Sequence, residues 1–411
     1  MTKKLGYLDS LRGLAALIVV LWHFAADFFP AMITMDATKI HVTIVESWIR
    51  DTPLAVIYSG AFAVCLFFVL SGYVLTYKFF QHKDEEIVVS GAMRRYVRLL
   101  IPVLTSILLA YLLMIAGLIF NKDAAVITKS EFLGGFYNFM PNLAGALSQA
   151  FYGVFFTTIP GGFGYNEVLW TMQIELFGSM LVFALALFLI RLRSRRLLYY
   201  PLLFLFLNTY YMGFILGMIL SDLYNSNDKD RFQIKNRALI TALLFFGLFL
   251  GSYTQGSQHN PIYQIMNTQL FSNNVVVYYS LGASLIMVAL LNSDTFKTIL
   301  TNKYLVLLGE ISFSVYVLHR IVICSFSSWL FVLLSHSTSY LTAFVVTFIV
   351  SMVIILFSSY LFYFFIDLNG IRLSKWIFET FFSIKRSEVG YISEIKTQTN
   401  ATFNSLNGRS K

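Results

Sequence analysis

Two ionisable residues stand inside the first apolar run of the chain: Arg12 and His23, in residues 7–24, YLDSLRGLAALIVVLWHF. Eleven positions on an α-helix add only about 20° to whole turns, so the two share one stripe, roughly 16 Å apart along the axis. With Leu11 at the membrane edge, Arg12 sits at that edge and His23 lies roughly 18 Å inside a hydrocarbon core about 30 Å thick. An imidazole at that depth needs a partner or a polar cavity. Its chemistry is proton transfer, and the plainer alternative is an interhelical hydrogen bond.

A carboxylate is expected at the same level. The stretch LWTMQIELFGSML carries Glu175, and a helix entering from the opposite face at Glu167 places Glu175 roughly 12 Å deep, level with His23. The matching depths predict a His23–Glu175 pair, in which the carboxylate fixes the imidazole tautomer and stabilises the imidazolium of a general base. A structural ion pair between helices is the alternative. Near the level of Arg12, SGAMRRYVRLLIP puts Arg94 and Arg98 on one helical face with Arg95 alongside. Such a group orients a membrane protein, and its guanidinium forks can also clamp phosphates. A later stretch, GEISFSVYVLH, aligns Ser312, Tyr316 and His319 as a polar stripe that contacts substrate or bridges helices. His41, His82, His259 and His336 fall in loops or at segment ends without metal-ligand spacing, so no metal is assigned.

The elements that must position these residues are membrane helices. The 411 residues are 57% hydrophobic and 12% charged, which excludes an ordinary soluble domain and predicts an all-α polytopic bundle in a lipid bilayer. The net charge of +9 does not imply nucleic acid, because the basic residues gather in short connections between apolar runs. Cys65 and Cys324 lie within apolar segments and imply no disulfide framework. Asp9 and Arg12 interrupt the signal-peptide pattern, so the first segment reads as a retained helix.

Apolar segments run over 11–30, 54–80, 96–120, 167–190, 197–220, 237–253, 274–292, 304–334 and 340–366. Basic residues at 78–98, 191–196 and 229–237 mark three connections on one side. Segment 197–220 must therefore enter and leave on that side, as two short helices turning near residues 208–211. This gives about ten helices with both termini cytoplasmic. Residues 1–370 form the expected membrane domain and 371–411 a polar cytoplasmic tail, partly disordered at its end. The longer external loops, 31–53 and 121–166, carry no code for an acceptor. The glycine-rich 159–165 reads as an interfacial turn and not a phosphate loop, and Asn400 in a sequon would stay on the cytoplasmic side.

Five stretches, YLDSLRGLAALIVVLWH, LFFVLSGYVLT, RRYVRLLIP, LWTMQIE and ISFSVYVLH, resemble in order and spacing the signature segments of the acyltransferase 3 family of integral membrane O-acyltransferases. The resemblance covers most of residues 7–367. It implies a bundle of about ten helices, an acyl-CoA donor (usually acetyl-CoA) on the cytoplasmic side, and an acceptor hydroxyl on a carbohydrate, glycolipid or small molecule. It also implies a cell-envelope setting such as the bacterial plasma membrane, with lipopolysaccharide or another polysaccharide among the acceptors. The family's paired Arg and His map onto Arg12 and His23, its arginine motif onto Arg95 and Arg98, its acidic residue onto Glu175, and its late pair onto Tyr316 and His319. Tyr316, His319 and Trp170 are then the expected substrate contacts, with the donor phosphates on Arg12, Arg94, Arg95 and Arg98.

Some positions depart from the family pattern. Ser10 replaces a common Gly, Leu176 replaces a frequent second acid, and YFFIDLNG lacks the usual late Glu and Pro. No hydrolase-like domain is expected after the bundle. Direct transfer with His23 as base and transfer through an acyl-histidine both stay open. The rival class is a proton-coupled transporter, disfavoured by the lack of internal symmetry.

Overall fold

A computed structural model describes residues 5–157, 164–226, 229–257, 259–268 and 271–381. Residues 159–163 of the glycine-rich stretch 159–165, the end of the tail and Asn400 lie outside these residues. Regular structure among the described residues is entirely helical. The principal helices are α1 (Gly6–Phe28), α2 (Gly60–His82), α3 (Glu85–Ile115), α4 (Glu167–Leu189), α5 (Tyr199–Leu205), α6 (Tyr211–Asn225), α7 (Arg237–Gly251), α8 (Asn274–Asn292), α9 (Lys303–Glu310), α10 (Ser312–Ser335) and α11 (Tyr340–Phe381). Seven of them, namely α1 to α4, α8, α10 and α11, are long and apolar enough to cross a membrane. The short α5–α6 pair and α7 complete the ten expected segments.

The α5–α6 reversal follows from local chemistry. Asn208, three residues beyond the end of α5, adopts a left-handed conformation, φ 71°, which an Asn tolerates and which turns the chain. Beyond the turn, Asp222 at the end of α6 meets Arg195 just before α5, with N–O distances of 2.9 Å, and also accepts from the Tyr199 hydroxyl. The segment thus enters and leaves on one face. We call the face where α1 begins proximal and the other distal.

Helix α2 is the axis of the bundle and contacts α1, α3, α4, α6 and α8. It ends at Lys83, φ 55°, and Asp84 then caps α3 by accepting from the Glu86 amide. Close backbone approach fixes the neighbours of α1. A Cβ on Gly13 would lie 2.7 Å from the Gly309 nitrogen, so α9 packs against the α1 turn that carries Arg12.

The distal segments sink into the bundle instead of lying over it. The Ser130 hydroxyl donates to the Ala26 carbonyl (2.8 Å), the Phe120 amide to Cys324 O (3.0 Å), and Asn166 Nδ2 to Val317 O (2.8 Å). Helix α4 consequently begins below the distal surface, with Glu167 only 7% exposed. At the other end, α11 continues as helix beyond 370 and packs its last turns on α3, so the expected boundary falls inside a helix.

Candidate active site

The first turn of α4, the last third of α1 and the first half of α10 meet in the distal half of the bundle. His23 Nε2 lies 2.8 Å from Glu167 Oε1. His23 Nδ1 lies 2.9 Å from the Val19 carbonyl, one turn back on α1, and 3.1 Å from His319 Nε2. His319 Nδ1 in turn lies 2.9 Å from the Val315 carbonyl. A carbonyl only accepts, so Nδ1 of each ring carries the hydrogen, and Nε2 is the basic atom of His23. Two acceptors do not sit 2.8 Å apart without a proton between them. The observed spacing therefore requires one proton held between His23 and Glu167.

A buried guanidinium completes the cluster. Arg320, 1% exposed, is paired with Asp27, and its Nε lies 3.3 Å from Glu167 Oε2. The Phe136 ring lies beneath it, 4.1 Å from guanidinium carbon to ring centroid. Two carboxylates against one guanidinium leave one negative charge, which the single proton held between His23 and Glu167 neutralises.

The expected His23–Glu175 pair is not formed. Glu175 lies on α4 about 12 Å nearer the proximal face than Glu167. It pairs with Arg95 and accepts from the Ser71 hydroxyl at 2.8 Å. The depth argument placed the start of α4 at the membrane edge, whereas the inward-folded residues 119–157 and 164–166 start it deeper and bring Glu167 to the level of His23. Sequence reasoning also passed over Asp27 and Arg320. Their signal was present: each is a charge inside an apolar run, as costly there as His23.

Two cavities of about 340 Å3 each approach this cluster from opposite sides. The distal one is lined by His23, Glu167, Trp170, Trp22 and Tyr316. The proximal one is lined by Arg12, Arg95, Arg98, Glu175, Ser312 and Tyr316. Tyr316 faces both, and its hydroxyl is held between the Val168 carbonyl (2.8 Å) and Thr171 Oγ1 (2.9 Å). Arg94 lies one cavity further out, beside Arg95 and Arg98. His319 faces neither cavity and touches His23 instead. Arg95 is anchored by Ser179 Oγ (2.8 Å) and Glu175, and Arg12 by Asp9 (3.3 Å). Among the described residues, no group of three or more His, Cys, Asp or Glu is placed to hold a metal.

A family model for an acyltransferase domain matches residues 5–364. The chain belongs to the acyltransferase 3 family. It is a membrane acyltransferase. This acyltransferase is 24% identical over 400 aligned residues to acyltransferase clz18 of Cochliobolus lunatus, covering 79% of the present chain and 84% of that protein. No solved structure gives a significant match.

Proposed function

We propose that this acyltransferase moves an acyl group, acetyl in the first instance, from an acyl-CoA on the proximal side to a hydroxyl of a carbohydrate, glycolipid or small molecule on the distal side. The observation that carries the proposal is the pair of cavities that share Tyr316. One is lined by three arginines suited to the phosphates of CoA, and the other by a buried His–Glu pair suited to proton transfer. The proximal face is then the cytoplasmic one, in keeping with the basic connections it carries.

In this account the phosphates rest on Arg94, Arg98 and Arg12, and Glu175 holds Arg95 in position beside them. The thioester end reaches Tyr316 from below, and the acceptor hydroxyl reaches it from the cavity lined by Trp170 and His23. Once the proton between His23 and Glu167 has left the pair, His23 Nε2 turns from Glu167 to the hydroxyl and takes its proton as the oxygen attacks the thioester carbonyl. The ester C–O bond forms, the C–S bond breaks, and the proton passes from His23 to the departing CoA sulfur. Glu167, charge-matched by Arg320, stabilises the imidazolium between these steps. His319 is a positioning residue, since its Nε2 accepts from His23 Nδ1–H and fixes the tautomer.

Donor binding tests the proposal. Acetyl-CoA at a hundredfold excess over its Kd should stabilise the detergent-solubilised protein by about 2.7 kcal/mol, seen as a raised Tm. The double substitution Arg95→Gln with Arg98→Gln should abolish the shift. A wild type whose Tm ignores acetyl-CoA and longer acyl-CoAs alike would contradict the donor assignment.

A further inference from the structure

A third cavity, of about 800 Å3, opens on the proximal side among the ends of α2, α6 and α8 and the segment leading into α7. No step proposed above uses it. Its walls are tied to one another across four chain segments. Gln81 Nε2 donates to Asn225 Oδ1 (3.1 Å), and Asn225 Nδ2 donates to the Tyr73 hydroxyl (3.2 Å). Asn292 Nδ2 donates to the Tyr224 hydroxyl (2.6 Å), while its Oδ1 accepts from the Ile234 amide (2.7 Å). These bonds fix the backbone that presents Lys235 and Arg237 at the rim. Neither of those residues makes an ion pair among the described residues, and Lys297 lies opposite them, 3.6 Å from the exposed Asp294. Three cations against one carboxylate leave a net positive site. Inside, Tyr7 and Tyr77 offer aromatic surface, and the Tyr73 and Tyr77 rings lie parallel, within 5°.

The cavity is connected to the arginines. An intervening cavity of about 440 Å3 shares Tyr77 and Leu5 with it, and shares Asp9, Arg95 and Arg98 with the proximal cavity. Helix α2 lines the whole route in sequence order, with Gln81 and Tyr77 at the outer end, Val74 and Ser71 next, and Val64 where the distal cavity begins. From Gln81 to Val64 the helix rises about 25 Å. A ligand filling this route has a flat aromatic group and a phosphate at its outer end, further phosphates midway and a thin apolar arm beyond.

We propose that the outer cavity is the nucleotide site of the donor. The adenine of an acyl-CoA stacks on Tyr77 and Tyr7, its 3′-phosphate is held by Lys235 and Arg237, and its pyrophosphate continues to Arg94 and Arg98. The inference rests on the acyl-CoA reading above and adds to it the part of the donor that the arginines alone do not engage. It makes the enzyme selective for the 3′-phosphate, a group remote from the reacting carbonyl.

The test is equilibrium binding of CoA, 3′-dephospho-CoA and S-acetyl-phosphopantetheine to the full chain in detergent. Wild type should bind CoA about tenfold more tightly than 3′-dephospho-CoA. The double substitution Lys235→Gln with Arg237→Gln, at exposed positions, should remove that preference and leave the affinity for 3′-dephospho-CoA unchanged. Tyr77→Leu should weaken CoA and 3′-dephospho-CoA together and leave S-acetyl-phosphopantetheine unaffected, and adenosine 3′,5′-bisphosphate should displace CoA from wild type. Equal wild-type affinity for CoA and 3′-dephospho-CoA, or a preference that survives the Lys235/Arg237 substitutions, would overturn this site while leaving the donor assignment intact. Absence of CoA binding to wild type would overturn both.

Discussion

His23 and Glu167 are 144 residues apart in the chain and 2.8 Å apart in the fold, and the hydrogen bond between them joins the last third of α1 to the first turn of α4. Glu175, two turns further along α4, serves the arginines instead. The two carboxylates of one helix therefore face different cavities and have separable duties.

The split is measurable in kinetics. Glu167→Gln keeps the shape but cannot stabilise an imidazolium, so kcat should fall by about 10²- to 10⁴-fold with the donor KM little changed. Glu175→Gln loosens Arg95, so the donor KM should rise with a smaller effect on kcat. Steady-state kinetics with acetyl-CoA as the varied substrate check both, and the reverse pattern would exchange the two roles.

Tyr316 is the partition between the cavities. Tyr316→Phe removes the hydroxyl held by Val168 and Thr171, worth about 1 kcal/mol net, so transfer should slow by about fivefold. Tyr316→Ala should join the cavities and admit water to the thioester, so CoA release without acceptor should rise while transfer falls. Free thiol measured with and without acceptor separates the two effects.

The Asp27–Arg320 pair is buried on both sides, so its members should fail singly. Asp27→Asn or Arg320→Met should each cost about 3–5 kcal/mol, because the remaining charge is stranded. The double substitution Asp27→Leu with Arg320→Met should recover part of that stability but not activity, since Glu167 then loses its cation. Thermal unfolding in detergent, with activity measured in parallel, reads both outcomes.

What was legible in the sequence follows from what hydropathy and spacing encode. Long apolar runs and the placement of Lys and Arg gave the helices, and even the short α5–α6 reversal, because charge on both flanks of 197–220 demands it. Arg12, Arg95 and Arg98 line one cavity together with Tyr316, Arg94 lies one cavity further out, and Trp170 and His23 line the other. The carboxylate partner was misjudged because helix depth was counted from a flat membrane edge. Ser130 on Ala26 and Asn166 on Val317 pull the preceding loop inward, and no periodicity in that loop announces it. Asp27 and Arg320 were visible as isolated charges, but their mutual partnership depends on how α1 and α10 are rotated. The rotation of α1 is set by packing against α2 and α9, and that of α10 by packing against α11 and α1, not by either helix's own pattern.

The most direct test of the account is labelled acetyl transfer from acetyl-CoA in membranes carrying wild type, His23→Gln or Glu167→Gln, with lysate of the native host as the source of acceptor. The account predicts label in a carbohydrate, glycolipid or small-molecule fraction for wild type. It predicts loss of that label by about 10²-fold or more in both variants, with acetyl-CoA binding retained. Undiminished label from His23→Gln would contradict the account and remove the His23–Glu167 pair from the chemistry.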